Sequence, residues 1–136
     1  MKRFKLQTKQ KEEIKANLKT FLASRPEIIF AYLHGSFLET HGFRDIDLAF
    51  YLKKIKKEEV IDYEIKISTE IEKKIKYPID VKVLNYAPIG FRYEILKGEL
   101  LYCRNDETRF NFIEKTWRDY LDFKPIEKNI LMDLMA

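Results

Sequence analysis

Apolar residues along this chain fall into alternating runs of helical and strand period. Ile14, Leu18, Phe21 and Leu22 stand at i, i+4, i+7 and i+8. That stripe predicts an amphipathic helix over residues 9–24, with Pro26 just past its end. Ile28 to Leu33, IIFAYL, is a continuous apolar run that suits a buried strand. Gly35 and Ser36 interrupt it. From Asp45 to Leu52 the period becomes two: Ile46, Leu48 and Phe50 alternate with Asp45, Asp47 and Ala49. This is the pattern of a half-buried strand. Residues 57–76 return to helical period through Val60, Ile61, Glu64, Ile67, Ile71 and Ile75, and Pro78 ends the run. Ile79, Val81 and Val83 then alternate with Asp80, Lys82 and Leu84 as a third strand.

Pro88 suits the first turn of a short helix reaching about Lys97, and Gly98 suits its C-cap. Leu100 to Cys103 is a short strand. Asn105 or Asp106 can cap a helix in which Phe110, Ile113, Trp117, Tyr120 and Leu121 share a face. The aromatic stripe Phe110, Trp117 and Tyr120 reads as core. Beyond Pro125, Ile126, Ile130, Leu131 and Leu134 make a last amphipathic turn or two, whose apolar face either folds back on the domain or docks a partner or second copy. The expected order is α-β-β-α-β-α-β-α, an α/β (α+β) fold with a small mixed sheet flanked by helices. The expectation is one domain over 1–136, with a C-terminal helical extension over about 106–136.

Connection lengths orient the strands. The first two are joined by about ten residues, and a parallel crossover needs roughly a dozen or more, so they run antiparallel. The second and third are joined by a helical segment and can run parallel. The end of strand one and the starts of strands two and three then meet at one edge of the sheet. Gly35-Ser36, Asp45, Asp47 and Asp80 lie there.

Composition narrows the class. The chain has 136 residues, 46% hydrophobic and 35% charged, which fits a globular domain rather than a disordered chain. No apolar run reaches membrane-spanning length, and MKRFKLQTKQ lacks the apolar core of a secretory signal. A lone cysteine, Cys103, gives no intramolecular disulfide and reads as a small apolar packing residue. A cytoplasmic protein is expected. The net charge is +4. With 26 basic residues facing 22 acidic ones, a solvated lysine-rich surface is favoured over a nucleic-acid patch, and direct nucleic-acid binding is not expected.

The chemistry lies in the carboxylates. Asp45 and Asp47, two apart on a strand, leave the same face with Cα atoms roughly 6.5–7 Å apart. Asp80, out of phase with Ile79, Val81 and Val83, can face the same way. Three carboxylates there repel one another, and a divalent cation relieves the repulsion. Hard oxygen ligands in small number suit Mg²⁺, which completes its shell with water and phosphate. Two such ions about 3.5–4 Å apart can hold the attacking and leaving oxygens of a phosphoryl or nucleotidyl transfer. Gly35 lets a phosphate approach the backbone, and Ser36 can bind its oxygens. An acidic sheet edge without catalysis is the plain alternative. His34 and His41 are seven apart with no cysteine near, so zinc is not favoured; His34 packs under the loop and His41 is exposed. Ser36 has no base positioned by sequence to make it a nucleophile.

HGSF, then DIDLAF, then PIDVKVL resembles the signature of the DNA polymerase beta-like nucleotidyltransferase superfamily: Gly-Ser, a spacer, Asp-x-Asp on the next strand and a third Asp on a later one. The short length is similar to the minimal nucleotidyltransferases, the MntA-type antitoxins of HEPN/MNT toxin–antitoxin pairs, and the likeness runs roughly from Ile28 to Phe123. It implies a polymerase beta-like fold and Mg²⁺-dependent transfer of AMP from ATP to a hydroxyl, a tyrosine of a HEPN ribonuclease toxin that the modification silences. Asp45 and Asp47 would be metal ligands. Asp80 would be the general base or a further ligand. Gly35 and Ser36 would hold the triphosphate. Two departures stand out. The eight-residue spacer between Ser36 and Asp45 is at the short end for the group, and it lacks the arginine many relatives carry soon after the serine. Arg44 or Lys82, which shares a strand face with Asp80, could compensate, and a solvent-exposed or carboxylate-paired Lys82 is the plain alternative. Two other functions fit the same residues: an antitoxin that neutralises by binding alone, or a transferase acting on a small molecule or RNA end.

Overall fold

The structure, a computed structural model, describes residues 3–123. Its central strands are β1 (Ile28–His34) and β2 (Ile46–Leu52), antiparallel as their short connection requires. β3 (Ile79–Val83) joins β2 in parallel, and β4 (Glu99–Cys103) joins β1 antiparallel, giving the order β3-β2-β1-β4. Helices α1 (Thr8–Ala23), α2 (Val60–Ile75), α3 (Ile89–Ile95) and α4 (Asp106–Phe123) complete the expected order. Asn105 caps α4, its Oδ1 accepting from the Thr108 N–H at 3.0 Å.

One face of the sheet carries the larger core. Ala31 and Leu33, Leu48 and Phe50, and Val81 and Val83 pack there with Leu18 and Leu22 of α1 and Ile67 and Ile71 of α2. The opposite face carries a smaller cluster, in which Phe30, Tyr32 and Ala49 meet Ile95 at the end of α3 and Phe112 of α4. β2 is therefore buried on both faces, not half-buried. Ala49 is fully covered because α3 and α4 close over it, and only Asp47 and Tyr51 keep partial exposure.

Both ends of this scaffold are fastened by side chains. Arg104, after β4, donates to the carbonyls of Leu22 and Ala23 at the end of α1 and of Arg25 and Ile28 beyond it, tying β4 to the α1–β1 connection. Along the free edge of β3, the N–H groups of Ile79, Val81 and Val83 donate to Glu72, Ser68 and Glu64 of α2 at 3.1, 3.1 and 2.8 Å. Spaced four apart on one helix face, these three acceptors seal the edge against pairing with another strand.

Several expectations need correction. Ile61 is 69% exposed and Glu64 bonds the β3 backbone, so the buried stripe of α2 is Ile67, Ile71 and Ile75. Phe110 is 56% exposed, so it leaves the expected face of α4; Tyr120 of that face is buried, with Trp117 and Leu121 packed partly buried beside it, and Phe112 and Thr116, each one residue from an expected position, are buried as well. Gly98 is not a left-handed C-cap. It is small because a Cβ there would stand 2.3 Å from the Leu33 carbonyl oxygen. The expected last helix, with Ile126, Ile130, Leu131 and Leu134, lies outside the described residues.

Candidate functional site

Asp47 is the second residue of β2 and has two neighbours across the ladder, His34 of β1 and Asp80 of β3. Register alone puts the side chains of Asp47 and Asp80 on one face. Asp45 sits one residue before β2 rather than inside it, because the strand begins where the Ile46 N–H finds the Pro78 carbonyl at 2.9 Å. All three carboxylates keep partial exposure at this end of the sheet.

Their charges act on one another. Burial, then the negative charges of Asp45 and Asp80, push the Asp47 carboxyl up to about 7. A hydrogen bond to Asp45 adds to the shift, and the nearby Lys82 ammonium opposes it. Asp47 thus sits in a negative field that a proton or a cation relieves. Among the described residues no three His, Cys, Asp or Glu side chains are gathered to ligating distance. Asp45 and Asp47 form the close pair, and Asp80 acts on it through its charge. That donor set fits Mg²⁺, which is held by one or two carboxylates and fills its shell with water and phosphate oxygens.

Gly35 opens a short 3₁₀ turn (Gly35–Leu38) directly against Asp47. Its φ is +77°, a left-handed conformation that glycine adopts without penalty. A Cβ at this position would lie 2.3 Å from Oδ2 of Asp47. The glycine is thus needed twice, for its backbone angle and for the space it leaves beside the carboxylate. Ser36 follows with a half-buried side chain, and Phe37 is fully buried beneath the turn. Four of the five residues singled out from the sequence come together, Asp47 lying against Gly35 and within the field of Asp45 and Asp80, and Ser36 is the next residue of the turn.

Of the basic candidates, Lys82 is at the site, its Nζ 3.7 Å from Oδ1 of Asp80, with both side chains about half exposed. Arg44 is exposed. His41 is exposed, as expected, and His34 packs against α3 rather than under the loop. The sequence reading gave His34 no place at the site, yet its ring stacks edge-on to Phe91 of α3 at 5.8 Å. Its Nε2 is buried and without a hydrogen-bond partner. Burial lowers its basicity, against the raising effect of Asp80 and Asp45. Only the antiparallel register, which sets His34 opposite Asp47, reveals this. Beside Asp80 and Lys82 lies a groove of about 520 Å³, lined also by Ile61, Ile65, Ser68 and Glu72 of α2.

Comparison with known proteins supplies the wider frame. No curated protein matches the chain. Among solved structures, one similar chain belongs to a complex of tri-AMPylated Shewanella oneidensis HEPN toxin with MNT antitoxin: 18% identical, TM-score 0.67, covering 93% of this chain and 99% of that one. Another belongs to a toxin–antitoxin structure with AMP-PNP, 19% identical with a TM-score of 0.68, covering 90% and 98%. A third is from the MntA–HepT toxin–antitoxin, 18% identical with a TM-score of 0.61, covering 96% and 100%. At these identities the likeness is one of fold. The family model described as polymerase beta, nucleotidyltransferase matches residues 16–107, a stretch that contains Gly35, Ser36 and all three aspartates. The chain belongs to the polymerase beta nucleotidyltransferase family.

Proposed function

We propose that this protein transfers AMP from ATP to a hydroxyl, a tyrosine, of a partner HEPN ribonuclease toxin, and so acts as the antitoxin of a HEPN/MNT pair. One observation carries the chemistry: Asp47, paired with Asp45, lies against a left-handed glycine, with Asp80 on the adjoining strand. Solved complexes of the same fold, one of an AMPylated HEPN toxin with MNT antitoxin and one with AMP-PNP, support the choice of partner and nucleotide. We read the whole chain as one minimal transferase domain. We assign the reaction, which draws on ATP, to the cytoplasm.

Each residue has a role in this reading. Asp45 and Asp47 would hold Mg²⁺, two ions in this reading, with Asp80 as a further ligand or as the base. When bound, the metal neutralises phosphate charge and makes the α-phosphorus easier to attack. Gly35 and Ser36 hold the triphosphate close to the backbone. The acceptor oxygen forms a bond to the α-phosphorus, the bond to the bridging oxygen breaks, and pyrophosphate leaves. Asp80, about half exposed, takes the proton of the attacking hydroxyl. Lys82, paired with Asp80, sits where it can balance developing negative charge.

The test is a mass spectrum of the partner co-expressed with this chain. The wild type adds AMP in whole steps, and the double substitution Asp45→Ala, Asp47→Ala abolishes every step. A partner still modified by the double variant would remove these carboxylates from the mechanism. A partner silenced without added mass would point to neutralisation by binding alone.

A further inference from the structure

The loop from Ser36 to Asp45 carries a phosphate-binding candidate at one end and a carboxylate at the other, and its own Phe37 and Phe43 are buried against each other, ring centroids 4.9 Å apart. Further support comes from the chain's first residues. Phe4 and Phe43 pair in a two-way backbone bridge, at 2.8 and 3.0 Å. The Arg3 guanidinium reaches the Gly42 carbonyl at 3.4 Å. Gly42, at φ +94°, leaves room for the Phe4 carbonyl, which a Cβ would meet at 2.9 Å. Lys11, in the first turn of α1, donates from Nζ to the carbonyl of Phe37 at 2.7 Å and to that of Glu39 at 2.8 Å. The same ammonium lies 5.1 Å from the Phe37 ring and 5.8 Å from the Phe43 ring, so one cation ties the two buried aromatics at the loop's ends.

We propose that residues 3–11 form a clamp that positions the loop for nucleotide binding, and that Lys11 is its principal positioning residue. This rests on the nucleotidyltransferase reading of the site. The clamp lies outside the region that matches the family, which begins at residue 16. It gives a short spacer, lacking an arginine after the serine, a different means of staying in place. Charge-assisted bonds to two carbonyls are the stronger kind of hydrogen bond. Their loss frees the carbonyls of Phe37 and Glu39, one and three residues after Ser36, and lets the turn that begins at Gly35 drift from Asp47.

The test compares wild type, Lys11→Met and Lys11→Arg as full chains, with two readouts. In calorimetric titration with AMP-PNP and Mg²⁺, Lys11→Met binds about tenfold more weakly, and Lys11→Arg, which keeps the charge and the donors, stays within about twofold of wild type. In hydrogen exchange, amides of residues 36–45 exchange faster in Lys11→Met while those of β3 and α2 do not change. A substitution that only lowered stability would raise exchange throughout and leave the affinity of the folded protein intact. If Lys11→Met does not fold, Phe4→Ala is measured against the same expectations. Unchanged loop exchange, or unchanged affinity, overturns the clamp alone. A wild type that binds no nucleotide overturns the transferase reading, and the role of the clamp in nucleotide binding with it.

Discussion

On one face of the sheet, β2 offers Ile46, Leu48, Phe50 and Leu52 to a core closed by two long helices. On the other, the same strand offers Asp47, and β3 beside it offers Asp80 and Lys82. The two faces share a backbone and differ only in phase. The first removes apolar surface from water over its whole length, at about 25 cal/mol per Å². The second is closed by α3 and α4 over Phe30, Tyr32 and Ala49, then left open where the carboxylates stand. Stability is concentrated on one side, and the other tolerates a cluster of like charges. Natural proteins keep such unfavourable groupings where function uses them.

The largest effect that would sharpen this contrast is on the packed face. Phe50 is fully buried, and Phe50→Ala is expected to destabilise by about 3–5 kcal/mol, measured by denaturant unfolding. Against a typical total of roughly 5–15 kcal/mol, that threatens folding itself. Phe110→Ala, on the exposed side of α4, is expected to change stability by less than about 0.5 kcal/mol. Equal losses from the two phenylalanines would break the comparison.

A smaller loss of stability with a larger loss of activity is expected at the join of the two regimes. Gly35→Ala forces a Cβ into a left-handed backbone and against Oδ2 of Asp47. The strained backbone costs about 1–3 kcal/mol. Displacing Asp47 by an ångström costs on the order of a hundredfold in transfer rate. Chemical denaturation and initial-rate measurements on one preparation separate the two. A Gly35→Ala variant with wild-type rates would mean that the turn does not abut the working site.

How far the sequence foretold this arrangement depends on which physical signal each part leaves. Strand and helix periods are local, so IIFAYL and the alternation of Ile79, Val81 and Val83 were legible, as was the antiparallel turn imposed by a short connection. The convergence of Asp47 and Asp80 followed from the same phase argument. What failed was anything set by a second layer. Ala49 reads as the polar-side residue of a half-buried strand, and only the packing of α3 and α4 buries it. Phe110 and Phe112 are both aromatic, and the crossing of α4 over Phe30 and Tyr51 decides which is covered. Glu64 reads as an interruption in an apolar stripe, whereas a strand edge needs its carboxylate. The clamp left a faint trace: Phe4 and Leu6 alternate with Arg3, Lys5 and Gln7, a strand period too short to stand out before Phe43 was known to face it.

The smallest expected effect bears most directly on the open face. Burial and the neighbouring charges of Asp45 and Asp80 raise the Asp47 carboxyl from 3.8 to about 7. The folded state therefore binds this proton more tightly than the unfolded chain does. Stability linked to the group is full below about pH 4 and is lost as pH rises through about 7. At pH 8 the wild type folds against an unrelieved charge, and Asp47→Asn, which keeps the shape and removes the charge, is expected to melt about 2–4 °C higher. The gain shrinks as pH falls through 7 and vanishes toward pH 4. Half-exposure of the carboxylate keeps it small, since solvent screens the repulsion. Melting curves of both proteins from pH 4 to 8 measure it directly. Added Mg²⁺ at pH 8 is expected to raise the wild type and leave Asp47→Asn nearly unmoved, closing the gap. A gap that ignores both pH and Mg²⁺ would mean that Asp47 carries no unfavourable charge, and the open face would then be a solvated edge like any other.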